Sequence, residues 1–362
     1  MNRELRKYDK QCLRKRIKSA LVFLYLIIIF TCVEAQIGGT ATYSFLDLTP
    51  SASVAALGGK VNATPGADPS LSFYNPGLLD STANNCLSLN FVNLFAGVNY
   101  GYVSFSRSYS NIGNFAAGIH YINYGKFIEA DASGIISGDF TAAEYAFNFT
   151  YSRTLPYLDS LFIVGMSIKP LLSVFERYTS YGLLSDAGLT YRHPNNQFTA
   201  ALVLRNMGGQ ITPYADGKRE PVHFELQLGL SHRLQHAPFR ISFVLRHLEK
   251  KRLGYNKTNL NPQPGQKVVK KEDLKKGMDL FLDEALRHVL VGIECFPFQG
   301  LTLRAGYNYN RRQEMKIENM PGMVGFSWGI AVNISRFNID YARSTWHLAG
   351  ACDHISISAN FK

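Results

Sequence analysis

Glu144-Tyr-Ala-Phe-Asn-Phe-Thr-Tyr-Ser152 places Tyr145, Phe147, Phe149 and Tyr151 on one parity and Glu144, Ala146, Asn148, Thr150 and Ser152 on the other. Successive side chains of a strand point to opposite faces, so the stretch predicts a β-strand with one aromatic face and one small or polar face. The same period of two recurs along the chain. In Val222–Ser231 the even positions are apolar, and in Leu301–Asn310 the odd ones are. Val324, Phe326, Trp328, Ile330, Val332 and Ile334 alternate with Gly, Ser, Gly, Ala, Asn and Ser. Phe239 to Leu245, Phe337 to Tyr341 and Ile355 to Phe361 behave alike. About fourteen such segments follow, many near the ~9–11 residues that cross a bilayer when tilted. They lie near 86–92, 98–109, 114–124, 141–154, 161–175, 184–192, 197–206, 222–234, 239–249, 287–296, 300–310, 322–334, 336–343 and 353–361.

The connections alternate in length as well. Those after the even-numbered segments are tight, as at His193–Asn196, Gln235–Pro238 and Pro297–Gly300. Those after the odd-numbered ones are mostly long, as at Gly125–Phe140, Met207–Glu220 and Arg311–Pro321; the first, Asn93–Gly97, is short. Short turns at one end and long loops at the other are what an antiparallel membrane barrel produces. A soluble β-sandwich also alternates. Against it stand the strand lengths, a polar face of Gly, Ser, Asn and Thr, and an apolar face rich in Tyr and Phe, which suit bilayer interfaces. The expected fold is therefore all-β: a closed antiparallel transmembrane β-barrel of about fourteen strands over 86–362.

Composition agrees. Of 362 residues, 18% are charged and 13% aromatic, too little charge for an ordinary soluble α/β enzyme and too much apolar content for disorder. The N-terminus reads as an export signal over 1–35. A basic stretch up to Lys18 precedes the apolar run Ala20–Phe30, and Val33 and Ala35 mark a cleavage site before Gln36. A retained helix is the alternative, but the run is short for a span. Removing the leader takes about +5 of the net +11 with it, so the basic balance does not argue for nucleic acid. It also leaves Cys86, Cys295 and Cys352, which form neither a metal pattern nor a disulfide framework.

No catalytic set, cofactor site or metal site emerges. His232 and His236 are four apart but end a strand rather than share a helix face, and Gly165-Met-Ser-Ile168 lacks the second glycine of a nucleophile elbow. Two segments stand outside the strand pattern. Residues 36–85 carry Val54-Ala-Ala-Leu-Gly-Gly59 and Leu71-Ser-Phe-Tyr-Asn-Pro-Gly-Leu-Leu79. Gly58 and Gly59 permit a tight turn, and Asn75-Pro76 marks another. The segment is either an ordinary loop or, as expected here, a hatch folded into the barrel mouth, where irregular backbone is tolerated. Residues 249–286 form the longest connection, with Lys250, Lys251, Arg252, Lys270, Lys271 and Lys275 among its cations; Met278–Arg287 reads as a short helix. The basic run is either a solvated loop or a docking surface for an acidic partner or anionic lipopolysaccharide.

The stretches Gln36-Ile-Gly-Gly-Thr-Ala-Thr-Tyr-Ser-Phe-Leu-Asp-Leu48, Ala55-Ala-Leu-Gly-Gly59, Asn75-Pro-Gly-Leu-Leu79, Leu87-Ser-Leu-Asn-Phe-Val-Asn93 and Asn99-Tyr-Gly101 resemble the PorQ family of the Bacteroidetes type IX secretion system. Arg287–Glu294, Leu303–Arg312 and Gly325–Trp328 with Gly329 continue it, so the likeness covers nearly the whole chain after the leader. The resemblance implies a FadL-like outer-membrane barrel of fourteen strands with an N-terminal hatch. It implies a non-enzymatic anchor that holds a PorZ-like surface protein, works with other secretion components and helps attach secreted cargo to the cell surface. FadL-like architecture implies an alternative, transport of hydrophobic small molecules.

Overall fold

The computed structural model describes residues 41–94, 97–131, 133–155, 161–215, 217–254, 278–315, 322–347 and 350–361. The leader read over 1–35, and Lys270, Lys271 and Lys275 of the basic loop, lie outside them.

Fourteen strands are described: β1 (Cys86–Asn93), β2 (Asn99–Tyr109), β3 (Gly113–Ala130), β4 (Ile136–Thr154), β5 (Phe162–Phe175), β6 (Tyr178–Arg192) and β7 (Phe198–Thr212), then β8 (Glu225–Arg233), β9 (Phe239–Leu245), β10 (Val289–Phe298), β11 (Leu301–Asn308), β12 (Phe326–Ile334), β13 (Phe337–His347) and β14 (Gly350–Asn360). Each pairs antiparallel with the next, and β1 pairs with β14 from Cys86↔Asn360 to Asn93↔Asp353, so the sheet closes into a barrel. A closed ring satisfies its backbone groups from strand to strand, which a lipid surround demands.

Burial follows the parity read from the sequence, with the apolar face outward. In β4, Glu144, Ala146, Asn148, Thr150 and Ser152 are buried while Tyr145, Phe147, Phe149 and Tyr151 are exposed. In β12, Phe326 and Trp328 are 45% and 48% exposed while Ser327 and Ala331 face in. A water-soluble sandwich would bury its apolar face; here that face is the one exposed, so the surface is built for lipid. Rings collect at the short-turn end. Tyr109, Phe115 and Tyr151 stand at centroid distances of 6.0 and 5.1 Å, and Phe162, Tyr191 and Phe198 at 5.2 and 6.3 Å. They form part of an interfacial girdle.

The strands differ from their expected lengths at the long-loop end. Gly125–Phe140, read as a loop, is mostly a hairpin, because β3 continues to Ala130 and β4 begins at Ile136. Its side chains are exposed on both faces, so the alternation that marks a lipid-embedded strand is absent there. Likewise β6 begins at Tyr178 and β7 runs to Thr212, while β9 stops at Leu245.

Residues 42–85 lie inside the barrel. The chain enters at the long-loop end, where Thr42 bridges Val222 and its N–H donates to Pro221 O at 3.0 Å. It passes through a one-turn helix at Ser44–Asp47, helix α1 (Ala52–Ala56) and tight turns at Pro69–Phe73, Pro76–Leu78 and Ser81–Ala83, and leaves into β1 at the short-turn end. Phe45, Leu46, Phe73, Tyr74 and Leu78 are at most 2% exposed and form one apolar core with Tyr100 and Tyr102 of β2. Two further helices sit at the long-loop end, α2 (Met278–Arg287) and α3 (Tyr309–Met315). The first matches the helix read from the sequence.

Candidate functional site

The hatch is seated on wall positions that have no side chain. A Cβ on Gly165 would lie 2.2 Å from the Pro76 carbonyl carbon, and one on Gly188 2.0 Å from Asn75 Oδ1. One on Gly229 would lie 1.7 Å from Asn62 Oδ1, and one on Gly306 2.2 Å from Gly58 N. Polar bonds fix the register of these seats. Asn75 Nδ2 donates to Asn62 O at 2.6 Å and Thr190 Oγ1 at 3.0 Å, while its Oδ1 accepts from Gly77 N at 2.8 Å, capping the Pro76 turn. Gly58 and Gly59 have φ of 97° and 96°, a conformation glycine adopts without strain, and Gly58 N donates to Ser327 Oγ at 3.1 Å.

Several charged groups surround the hatch: Asp80 pairs with Arg192 and the set Arg240, Glu294, Arg304 and Asp340 lies towards the short turns, and two further groups lie deeper. Nearer the long loops, Lys60 Nζ pairs with Asp47 Oδ1 at 3.2 Å, and Arg246 Nε with Glu225 Oε1 at 3.2 Å. Arg205 Nη1 lies 3.8 Å from Glu225 Oε2, and His247 Nδ1 lies 2.9 Å from Glu249 Oε1. Burial pushes the Lys60 ammonium down to about 8, with Asp47 opposing the fall. For Asp47, burial opposes ionisation, but Lys60, Arg246 and Arg205 outweigh it and hold the carboxyl well below the usual range. The second group encloses Phe73. Lys169 Nζ stands 4.6 Å and Arg205 Cζ 5.7 Å from its ring centre, and the rings of His120 and Tyr102 stand 5.0 and 5.1 Å away. Lys169 is ion-paired with Asp186, both fully buried. Asp186 also accepts from Asn206 N at 2.8 Å, pinning a bulge between β6 and β7.

At this height the β4–β5 ladder lacks two pairs while keeping its register. The β4–β5 ladder runs from Ala142↔Phe175 to Ala146↔Leu171 and resumes at Phe149↔Ile168. Pro170 occupies the gap and has no N–H to donate. Outside, immediately next to the gap, an apolar hollow of about 470 Å³ is lined by Phe105, Phe115, Ala117, Phe149, Met166 and Ile168. Inside, Asn148 and Lys169 are fully buried. Smaller polar hollows flank the hatch. One of about 150 Å³ at the long-loop side is lined by Lys60, Arg246, Arg311 and Trp346. One of about 250 Å³ at the short-turn side is lined by Asp68, Glu294, Arg304 and Asp340.

No family model and no curated protein matches the chain. Solved structures do. The toluene transporter TbuX of Ralstonia pickettii is similar over 88% of this chain and 100% of its own, at 12% identity and a TM-score of 0.52. The barrel shares the fold of this structure. The toluene transporter TodX of Pseudomonas putida is similar at 13% identity over 86% of this chain and 96% of its own, with a TM-score of 0.47. A FadL homologue of Pseudomonas aeruginosa is similar at 10% identity over 87% and 99%, with a TM-score of 0.48.

The residues singled out in the sequence fall into two places. Gly58, Gly59, Asn75 and Pro76 lie in the lumen on the seats described above. Lys250 is half-buried, and Lys251 and Arg252 are exposed at the long-loop end. The lumen charges Lys169, Asp186, Arg205 and Glu225 escaped sequence reading. Their signal is an ionisable residue on the inward parity of a strand, and Pro170 inside a fourteen-residue strand is a second one. Among the described residues, no group of three or more His, Cys, Asp or Glu side chains is placed to hold a metal ion, and no helix is long and apolar enough to cross a membrane. Cys86, Cys295 and Cys352 are free thiols.

Proposed function

We propose that the chain resides in a bacterial outer membrane and admits small hydrophobic molecules past its hatch, with the β4–β5 wall as their lateral way into lipid. The observation that carries this reading is the adjacency of three features: the apolar lipid-face hollow, whose edge at Phe149 and Ile168 reaches the ladder gap at Pro170, and Phe73 held on the inner side by Lys169. The TbuX neighbour is a toluene transporter, and the shared fold supports extending that class of cargo to this barrel. The test is uptake of a small aromatic hydrocarbon by proteoliposomes whose outer leaflet carries lipopolysaccharide. Uptake should exceed that of protein-free vesicles, and Pro170→Val, which restores a donor to the ladder, should lower it. Equal rates with and without protein would overturn the reading.

A second reading keeps the type IX secretion expectation, with the barrel as anchor for a PorZ-like surface protein. It is favoured by the β3–β4 hairpin, whose tip exposes Ile128, Ile135 and Ile136 at 69%, 66% and 67%. Apolar side chains gathered on an extramembrane tip suit a protein contact. The basic residues Lys250, Lys251 and Arg252 would add attraction for an acidic partner or lipopolysaccharide. Pull-down in mild detergent should recover a surface protein with the intact chain and lose it when residues 127–139 are replaced by a short polar turn.

A further inference from the structure

Helix α2 is amphipathic in the opposite sense to a helix packed on its own protein. Its inward side is polar. Asp283 is buried and accepts from Tyr309 Oη at 2.7 Å and Arg287 Nε at 3.0 Å, and Arg287 Nη1 donates to Asn310 Oδ1 at 3.3 Å. Glu284 accepts from the N–H groups of Leu253 and Gly254 at 2.9 and 3.2 Å. These bonds fix which side faces out. On that side Met278, Phe281, Leu282 and Leu286 are 71%, 67%, 50% and 46% exposed. Spacings of three and four align them in one stripe. A surface helix of a water-soluble protein turns such a stripe inward.

We infer that α2 is an interfacial helix that lays this stripe in the outer leaflet of the membrane. The inference rests on the barrel crossing a bilayer and not on its cargo. Depth points to lipid. Only His288 separates α2 from β10, and the adjacent β9 and β11 have 7 and 8 residues. A tilted strand needs ~9–11 residues to cross the hydrocarbon, so on this side no strand is left to lift the helix above it. The opposite wall, with 18 and 19 residues in β3 and β4, stands well clear. Continuity points the same way, since Leu248 beyond β9 and Phe326 at the outer end of β12 are exposed at 42% and 45% and bring the lipid-facing belt up to this level. Lys251 and Arg252 are exposed in the segment whose N–H groups Glu284 binds, while Asp279 is exposed on the helix itself, so the apolar stripe and not charge is what meets the leaflet. An apolar stripe at this level fits the boundary between headgroups and acyl chains.

Tryptophan placed on the stripe tests this in the full-length protein. Phe281→Trp and, independently, Leu286→Trp are reconstituted into vesicles of lipopolysaccharide and phospholipid brominated in the acyl chains. Ser133→Trp, on the tall hairpin, is the water-facing reference. The emission added at 281 and 286 should lie to the blue, be lost in brominated vesicles and resist acrylamide, while that added at 133 behaves the opposite way. Emission at 281 and 286 that acrylamide quenches and bromine spares would overturn the inference. So would emission quenched by neither, the mark of a stripe covered by protein, whether a partner or residues 255–277.

Discussion

Lys169 is a fully buried ammonium on the inner face of β5, and its situation sets what its removal does. Asp186 neutralises it, the Phe73 ring lies against it, and Asp186 also holds the Asn206 bulge. Removing one member of a buried pair leaves the other uncompensated, at a cost of about 3–5 kcal/mol, whereas replacing both with apolar groups is often near neutral. Lys169→Met should therefore lower the urea midpoint in micelles far more than the double change Lys169→Met with Asp186→Leu. Equal losses would mean the pair is not coupled. Lys60 makes a pH prediction. Its pKa is depressed in the folded protein, to about 8, so the unfolded hatch binds more protons between there and the free-lysine value near ~10.4. The cost of its buried charge is fully present below pH 8 and relieved as pH rises towards that upper value. Asp47, depressed as a carboxylate, contributes stability above its ordinary range that is lost as pH falls through it. Resistance of the hatch to protease should thus rise from pH 8 to 10 and collapse in strong acid, and Lys60→Met should flatten the alkaline rise.

At the scale of elements, what was legible was whatever the lipid enforces. A strand facing hydrocarbon must alternate, so Tyr145 to Tyr151 and Phe326 to Val332 reveal themselves, and all fourteen segments reappear as strands. Where the same strands leave lipid the constraint ends, and Gly125–Phe140, which reads as a loop, is mostly a hairpin. The short helix α2 was legible from its apolar spacing, but its reversed orientation was not, because periodicity does not say which side meets the protein. The hatch was visible as a break in alternation with turn residues at Gly58, Gly59, Asn75 and Pro76. Its contacts were hidden in the glycines of distant strands, which look like ordinary small inward residues until the fold brings Gly165 against Pro76. A Cβ there has only main-chain atoms to displace. Gly165→Val should leave the barrel formed, read as heat-modifiable gel mobility, yet expose the hatch to protease. Loss of both together would mean hatch and wall fold as one unit.

For the whole molecule, the wall is uneven in height. It is tall over β3 and β4 and low from β9 to β11, so one rim projects into water while the other ends near the membrane surface. The hatch threads this cylinder from the long-loop mouth to the seam between β1 and β14, filling it with apolar clusters and several sets of ion pairs. The seats at Gly165, Gly188, Gly229 and Gly306 have a further consequence. Because those strands already lack side chains where the hatch rests, a chain deleted for residues 43–80 would not collapse onto itself. It would keep a wide, wetted bore fringed by Lys169, Arg205 and Glu225. Planar-bilayer recordings of that deletion should give steady ionic current where the intact chain is electrically silent, turning a stoppered vessel into an open conduit.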